Sequence, residues 1–291
     1  MFRPVVAVLL LGWAVSAPGA ERKVDPTFLH RYLPEVAEKP SDVSSPTAHY
    51  RPLFGAGDSE TSIARGVARY GELTVDPGGA SATVNYPAEE QIYFVLEGEG
   101  KVHYGSEEHA VRQNDFMYFP PEIAHNLANS SSRPCRVMVM GYKIPRGTQV
   151  TPPAKLLIAN LDEVKKQVVG GHPPSTLYQL MMGDVHSTRD RLAAGHVLTS
   201  LFVMEFAPGG TNFPHHHDRE EEIYFVLNGQ GDMVAGGGMD GIEGRHPAKA
   251  GDAYFIRLNC TVGFYNREDP SVPKAHILAI RSRYPFPRHE E

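Results

Sequence analysis

Residues 208–229 read Pro208-Gly209-Gly210-Thr211-Asn212-Phe213-Pro214-His215-His216-His217-Asp218-Arg219-Glu220-Glu221-Glu222-Ile223-Tyr224-Phe225-Val226-Leu227-Asn228-Gly229. Two signals overlap here. One is a concentration of imidazoles and carboxylates, the donor types from which divalent-metal sites are built. The other is a short apolar run, Ile223 to Leu227, closed by Asn228-Gly229, which reads as a strand ending in a turn. On an extended chain successive side chains alternate sides, so His215 and His217 share a face and His216 points away. Glu222 opens the strand and can return to the same site from a neighbouring strand, whereas Glu221 beside it points the opposite way. The expected metal ligands are therefore His215, His217 and Glu222.

The stretch occurs twice. Pro77-Gly78-Gly79 and, further on, Glu89-Glu90-Gln91-Ile92-Tyr93-Phe94-Val95-Leu96-Glu97-Gly98-Glu99-Gly100 repeat its landmarks, including the whole Ile-Tyr-Phe-Val-Leu run. A second shared segment follows each copy: Asn114-Asp115-Phe116-Met117-Tyr118-Phe119-Pro120 parallels Gly251-Asp252-Ala253-Tyr254-Phe255-Ile256-Arg257. Self-similarity of this kind marks a tandem duplication. Short strand patterns punctuated by Gly and Pro, 28 and 24 residues respectively, point to an all-β chain of barrel type.

The spacing Gly209, His215, His217, Glu222, Gly229 resembles the first signature of the cupin superfamily. The resemblance implies two tandem cupin (jelly-roll) β-barrels, a bicupin, covering nearly all of the chain. The expected division is a leader over 1–20, a lead-in over 21–45, a first barrel over 46–150, a connector over 151–173, a second barrel over 174–284 and a tail over 285–291. Within the connector, Leu157, Leu161, Val164 and Val168 have helical spacing, stopped by Gly170-Gly171. A second short helix is expected near Thr27 to Glu38, between Pro26 and Pro40.

Against the family's pattern the two copies fail in opposite places. The second signature normally carries one more ligand histidine. In the second copy Gly251 and Asn266 frame it, but Arg257, Asn259 and Val262 stand where Pro, Gly and that His belong, and valine has no lone pair to offer. In the first copy Asn114, Pro120, His125 and Asn129 are retained, yet Val84, Tyr86 and Gln91 replace the other three ligands. His125 is then expected to hydrogen-bond Tyr86 or Gln91, or to sit satisfied in the barrel. The second barrel keeps two imidazoles and a carboxylate with open positions, the arrangement of non-haem Fe(II) oxygenases. Fe(II) is the favoured ion, with Mn, Ni, Cu or Zn as alternatives. Cys260, two residues before Val262, is a further ligand candidate that would favour Zn. Tyr224, Tyr254, Tyr265 and Phe255 are candidate pocket walls. The expected activity is a dioxygenase acting on a small organic substrate. Isomerase, decarboxylase or hydrolase chemistry, or ligand binding without turnover, are the alternatives.

The whole chain bounds the rest. A net charge of −6 over 291 residues, with no Lys/Arg cluster, gives no reason to expect nucleic acid or an anionic membrane as partner. Arg3, the apolar Val5 to Val15 and the small residues Ser16 to Ala20 read as a secretory signal, too short to span a bilayer. The expected location is secreted or periplasmic, with no membrane anchor after cleavage. The two cysteines, Cys135 and Cys260, fall in different repeats and are expected as separate thiols. The resemblance also implies a homodimer through edge strands.

Overall fold

The computed structural model describes residues 26–60, 62–238, 243–269 and 271–284. The leader expected over 1–20 and the tail expected over 285–291 lie outside the described residues. The strands, in chain order, are β1 (Phe28–Tyr32), β2 (Ala48–Gly55), β3 (Val67–Val75), β4 (Glu89–Glu97), β5 (Glu99–Tyr104), β6 (Glu107–Arg112), β7 (Asp115–Phe119), β8 (His125–Ala128), β9 (Cys135–Lys143) and β10 (Leu157–Asn160). They continue as β11 (Lys166–Gln167), β12 (Thr176–Asp184), β13 (Leu192–Gly195), β14 (Leu198–Phe206), β15 (Glu220–Asn228), β16 (Gln230–Gly236), β17 (Glu243–Lys249), β18 (Asp252–Ile256), β19 (Thr261–Asn266) and β20 (Ala275–Arg283). Two 3-10 turns, Leu33–Glu35 and Leu161–Glu163, lie in the lead-in and the connector. No helix of the described residues is long and apolar enough to cross a membrane.

Each barrel is a wide sheet faced by a narrow one. The first pairs β10-β7-β4-β9-β3-β2 with β6-β5-β8; the second pairs β1-β18-β15-β20-β14-β12-β11, with β13 beside β12, with β17-β16-β19. The wide sheets are buried on both faces, which explains why their central strands read as continuous apolar runs rather than alternating ones. On β15, Tyr224 and Val226 face the interior of the second barrel with Phe206, Ile277 and Phe264. Ile223 and Phe225 face the other way, into an apolar layer shared with Phe54, Phe94 and Met138 of the first barrel. Phe54 and Phe255 meet across that layer with ring centroids 6.0 Å apart.

Both wide sheets are closed by a strand from the other repeat. β1, from the lead-in, runs antiparallel to β18, with Phe28 opposite Ile256 and Tyr32 opposite Asp252. β10, from the connector, does the same to β7, with Leu157 opposite Tyr118 and Asn160 opposite Asp115. The 3-10 turns Leu33-Pro34-Glu35 and Leu161-Asp162-Glu163 follow them directly. Lead-in and connector are thus one element of the repeat, exchanged between barrels.

This exchange corrects both helix expectations. The edges of β18 and β7 present unpaired backbone groups that an extended segment satisfies, and this outweighs the local helical spacing. Pro34 sits inside the first candidate and removes a helical donor. In the connector, the Asn160 side chain accepts from Asp162 N at 2.9 Å and turns the chain. Leu161 and Val164 are buried between the barrels, while Val168, assigned to the same helical face, is 49% exposed.

Candidate metal centre

Two turns set the ends of the site. Gly229, φ +82, makes the turn from β15 to β16; a Cβ there would lie 2.7 Å from Ala275 Cα, so only glycine fits. Phe213 has φ +53, an uncommon conformation for a bulky residue, and is 52% exposed, with its carbonyl beside the His215 ring. That carbonyl accepts a hydrogen bond from His215 Nδ1 at 2.8 Å. The bond fixes the tautomer, because a carbonyl only accepts, and leaves the His215 Nε2 lone pair for a ligand.

His215, His217 and Glu222 converge: their ligating atoms all lie within 4.8 Å of one another. Glu222 is 2% exposed. His217 Nε2 stands 3.3 Å from Glu222 Oε2, between the ligand–ligand spacings of about 3.0 Å (octahedral) and 3.4 Å (tetrahedral) expected for bonds of ~2.1 Å. Both atoms are buried and make no hydrogen bond. Two acceptors so placed need a proton or a cation between them. The residues therefore fit a divalent ion. Burial holds the His215 imidazole below its ordinary pKa, which keeps it in the neutral, ligating form. His216 is exposed, and Glu221 is buried on the opposite face of β15, toward Tyr142 of the first barrel.

The fourth position is occupied by the side chain expected there. His215 N donates to Val262 O at 3.0 Å and Val262 N to His215 O at 2.8 Å. In the first barrel Val84 and His125 form the same bridge, at 2.9 Å each way. Each barrel thus has one histidine and one valine at this pair, in opposite order. Asn259 carries the turn before Val262 at φ +59, the conformation glycine would otherwise supply. Cys260 is buried in the second core and is not part of the ligand group; Cys135 is buried in the first core, and no disulfide joins them.

A cavity of about 240 Å³ adjoins the triad, lined among others by His172, Tyr178, Arg189, Ser200, Phe202 and Arg281. Of the expected walls only Tyr224 belongs to it. Tyr254 lies in the second core and stacks on His30 at 4.6 Å, Phe255 faces the other barrel, and Tyr265 lies under the Arg245 guanidinium at 4.1 Å. Asn212 Nδ2 donates to Tyr224 Oη at 2.8 Å. Tyr178 Oη is buried and makes no hydrogen bond, and burial raises both phenols well above their ordinary range, so they stay protonated. His172 donates from Nδ1 to Asn212 O at 2.7 Å, and its ring meets that of His215 edge-on at 5.3 Å. His172, Tyr178, Ser200 and Arg281 escaped the sequence reading. The one legible signal was Arg281, which stands where the first copy has Gly141. A larger cleft, about 800 Å³, lies between the barrels near Leu33, Leu161 and His276. No cluster of ligating side chains faces it among the described residues, so the chemistry favours the smaller cavity.

The first barrel brings no comparable group of ligating side chains together among the described residues. His125 donates from Nδ1 to Ile123 O at 2.9 Å and stacks on Phe119 at 4.2 Å, rather than bonding Tyr86 or Gln91. Gln91 instead donates to Glu89 at 2.8 Å.

Comparison with known proteins agrees with this architecture. The cupin domain model Cupin_2 matches residues 71–141 and again 202–272. An uncharacterised protein of Methanocaldococcus jannaschii is 28% identical over 71 residues, 24% of this chain and 57% of that protein. Among solved structures, Ylba from E. coli superposes with a TM-score of 0.65 at 15% identity, covering 90% of this chain and 94% of that one. AerE from Microcystis aeruginosa gives 0.61 at 16%, covering 85% and 97%. The formate complex of Lactobacillus farciminis oxalate decarboxylase gives 0.63 at 12%, covering 89% and 86%. At such identities the likeness is one of fold.

Proposed function

Taking the chain as a bicupin by fold, two cupin domains in tandem, we propose that its second barrel is the working centre of an exported, divalent-metal-dependent enzyme acting on a small organic molecule, with dioxygenase chemistry as the leading class. The observation that carries the reading is the meeting of His215, His217 and Glu222, with His217 Nε2 and Glu222 Oε2 buried and otherwise unsatisfied. Two imidazoles and one carboxylate favour Fe(II), with Mn, Ni, Cu and Zn as alternatives. An ion bound there supplies Lewis-acid or redox chemistry at the positions that the protein leaves open. Val262 supplies no donor, and the cavity adjoins the three residues that would hold the ion. The Phe213 carbonyl orients His215, Asn212 orients Tyr224, and Phe202 and Leu180 give the cavity an apolar wall. Tyr178, protonated and without a partner, is placed to donate a hydrogen bond to a bound molecule. Export rests on residues 1–20 alone.

A second reading, ligand binding without turnover, draws on Val262 and on the erased first site. Elemental analysis of untagged protein tests the metal. The expected result is one divalent ion per chain, lost in His215→Ala and in Glu222→Ala. Protein that holds no stoichiometric ion even after loading sinks the proposal. Tight ligand binding with no product after Fe(II) loading under oxygen would favour the second reading.

A further inference from the structure

Arg281 faces the cavity from β20, and its setting differs from that of the matching arginine in the first barrel. Glu222 on β15, Arg281 on β20 and Ser200 on β14 are register partners, so their side chains stand in one row on the barrel side of the sheet. Arg189 donates from Nη2 to Ser200 Oγ at 3.2 Å, bringing a second guanidinium to the end of the row; its own counter-charge is Asp190, 3.4 Å from Nε. Among the described residues Arg281 meets a single carboxylate, Glu220, at 3.4 Å through Nη1, and its guanidinium lies 5.6 Å from the Phe202 ring. Its Nε is buried and makes no hydrogen bond. A guanidinium offers five donors in a planar fork suited to a carboxylate, and most of this fork is unused among the described residues.

In the first barrel the corresponding guanidinium carries two acids on its terminal nitrogens, although its Nε too is buried and makes no hydrogen bond. Arg69 on β3 pairs in register with Gly141 on β9, the same two positions as Ser200 and Arg281, with the arginine on the other strand. Arg69 donates to Asp42 through Nη1 and to Glu89 through Nη2 at 3.2 Å, and its guanidinium lies 4.0 Å over the Tyr86 ring. Glu89 matches Glu220. Asp42 matches Gly170, by the constant offset that relates Leu33 to Leu161 and Ala48 to Thr176. Gly170 lines the second cavity, and a Cβ built on it meets nothing within 4 Å. The second barrel therefore has the arginine, lacks the acid, and has open space where the acid would stand.

We infer that the cavity binds a small organic acid whose carboxylate sits on Arg281, in the place that Asp42 takes in the first barrel. Ser200 and Arg189 flank the anion, and Tyr178 and Phe202 wall the rest of the molecule. A volume of about 240 Å³ is that of about eight waters at ~30 Å³ each, so the acid is compact, a short-chain or single-ring carboxylate. This deepens the metal-centre reading and rests on it for the far end of the acid, which lies toward His215, His217 and Glu222.

The test is calorimetric titration of metal-loaded, untagged protein with acetate and benzoate, each against its neutral amide, acetamide or benzamide. At least one acid is expected to bind and its amide to bind far more weakly. Arg281→Gln should weaken that acid by roughly tenfold, as the loss of a charge-assisted hydrogen bond in a partly exposed pair does, and Arg281→Lys should recover part of the loss. Gly170→Asp installs the first barrel's carboxylate at an open position and should block the acid while leaving melting temperature and metal content unchanged, so the inference stays testable if Arg281→Gln misfolds. It is overturned if neither acid is preferred over its amide, or if the Gly170→Asp protein binds the acid as the parent does. Stoichiometric metal without acid preference sinks this inference alone. Arg281-dependent acid binding in protein that cannot hold metal sinks the metal reading alone.

Discussion

His125 shows how a retained signature residue can lose its chemistry. Its ring is 1% exposed, stacked on Phe119, and burial lowers its pKa from 6.5 to about 4. The unfolded chain therefore takes up this proton first as pH falls. The folded state loses stability between pH 6.5 and about 4, and the loss is complete below that window. The full shift corresponds to about 3 kcal/mol. His125→Phe keeps the stacking and removes the titration. Denaturation at pH 7.5 and at pH 4.5 should show the parent losing about 2–3 kcal/mol more than the variant; parallel losses would contradict this account. The same reciprocity of histidine and valine explains why His215, bridged to Val262, carries the metal reading and His125, bridged to Val84, does not. Both substitutions were visible in the sequence. That they face each other across one bridge was not, because it depends on register.

At the scale of elements, the strands that read most clearly, β4 and β15, owe their clarity to burial on both faces. The outward-looking positions of these strands hold acids that no local pattern explains. Glu90 is fully buried and accepts from the backbone N–H groups of His196, Val197 and Leu198 at 2.8, 3.0 and 2.6 Å, and from the Tyr118 hydroxyl at 3.1 Å. It therefore fastens β4 of one barrel to the turn that precedes β14 of the other. Glu90→Gln exchanges one of those acceptor oxygens for a donor and should cost about 2–3 kcal/mol, read as a lower denaturation midpoint with the metal site unaltered in composition. A change under about 0.5 kcal/mol, ordinary for an exposed site, would mean that the latch is not a stabilising contact. The helices expected near Thr27 to Glu38 and in the connector shrink to the 3-10 turns Leu33–Glu35 and Leu161–Glu163 for an opposite reason. The connector carried a usable local period, and in both segments the deciding partner, a sheet edge, belonged to the other repeat.

For the whole molecule, the exchange of β1 and β10 means that neither repeat closes its own sheet. β1 lies on β18, which pairs with β15, the strand of Glu222. Removing residues 26–36 should therefore weaken metal retention in the second barrel, although the deleted segment precedes the first. Leu29 and Leu33, both buried in the layer between barrels, add about 2 kcal/mol each to this dependence. The expected outcome is earlier metal loss in a chelator titration than in the parent chain. A single calorimetric transition is expected for the intact chain, since the barrels share one apolar layer. Two well-separated transitions, or unchanged metal retention after the deletion, would show that the barrels are independent.

By itself the sequence determined the duplication and the all-β architecture, and it pointed to His215, His217 and Glu222, which the fold brings together. These are local properties: spacing along an extended strand decides which residues share a face, and a repeat is visible without coordinates. Only the tertiary structure decided which repeat supplies each closing strand, that Phe255 faces the neighbouring barrel while Tyr224 faces the cavity, and that Arg281 stands in one row with Glu222 and Ser200. Each of these depends on pairing between residues distant in the chain. Such pairing is set by the burial of both faces of a sheet and by the need of its edges for partners, not by the order of residues along any one strand.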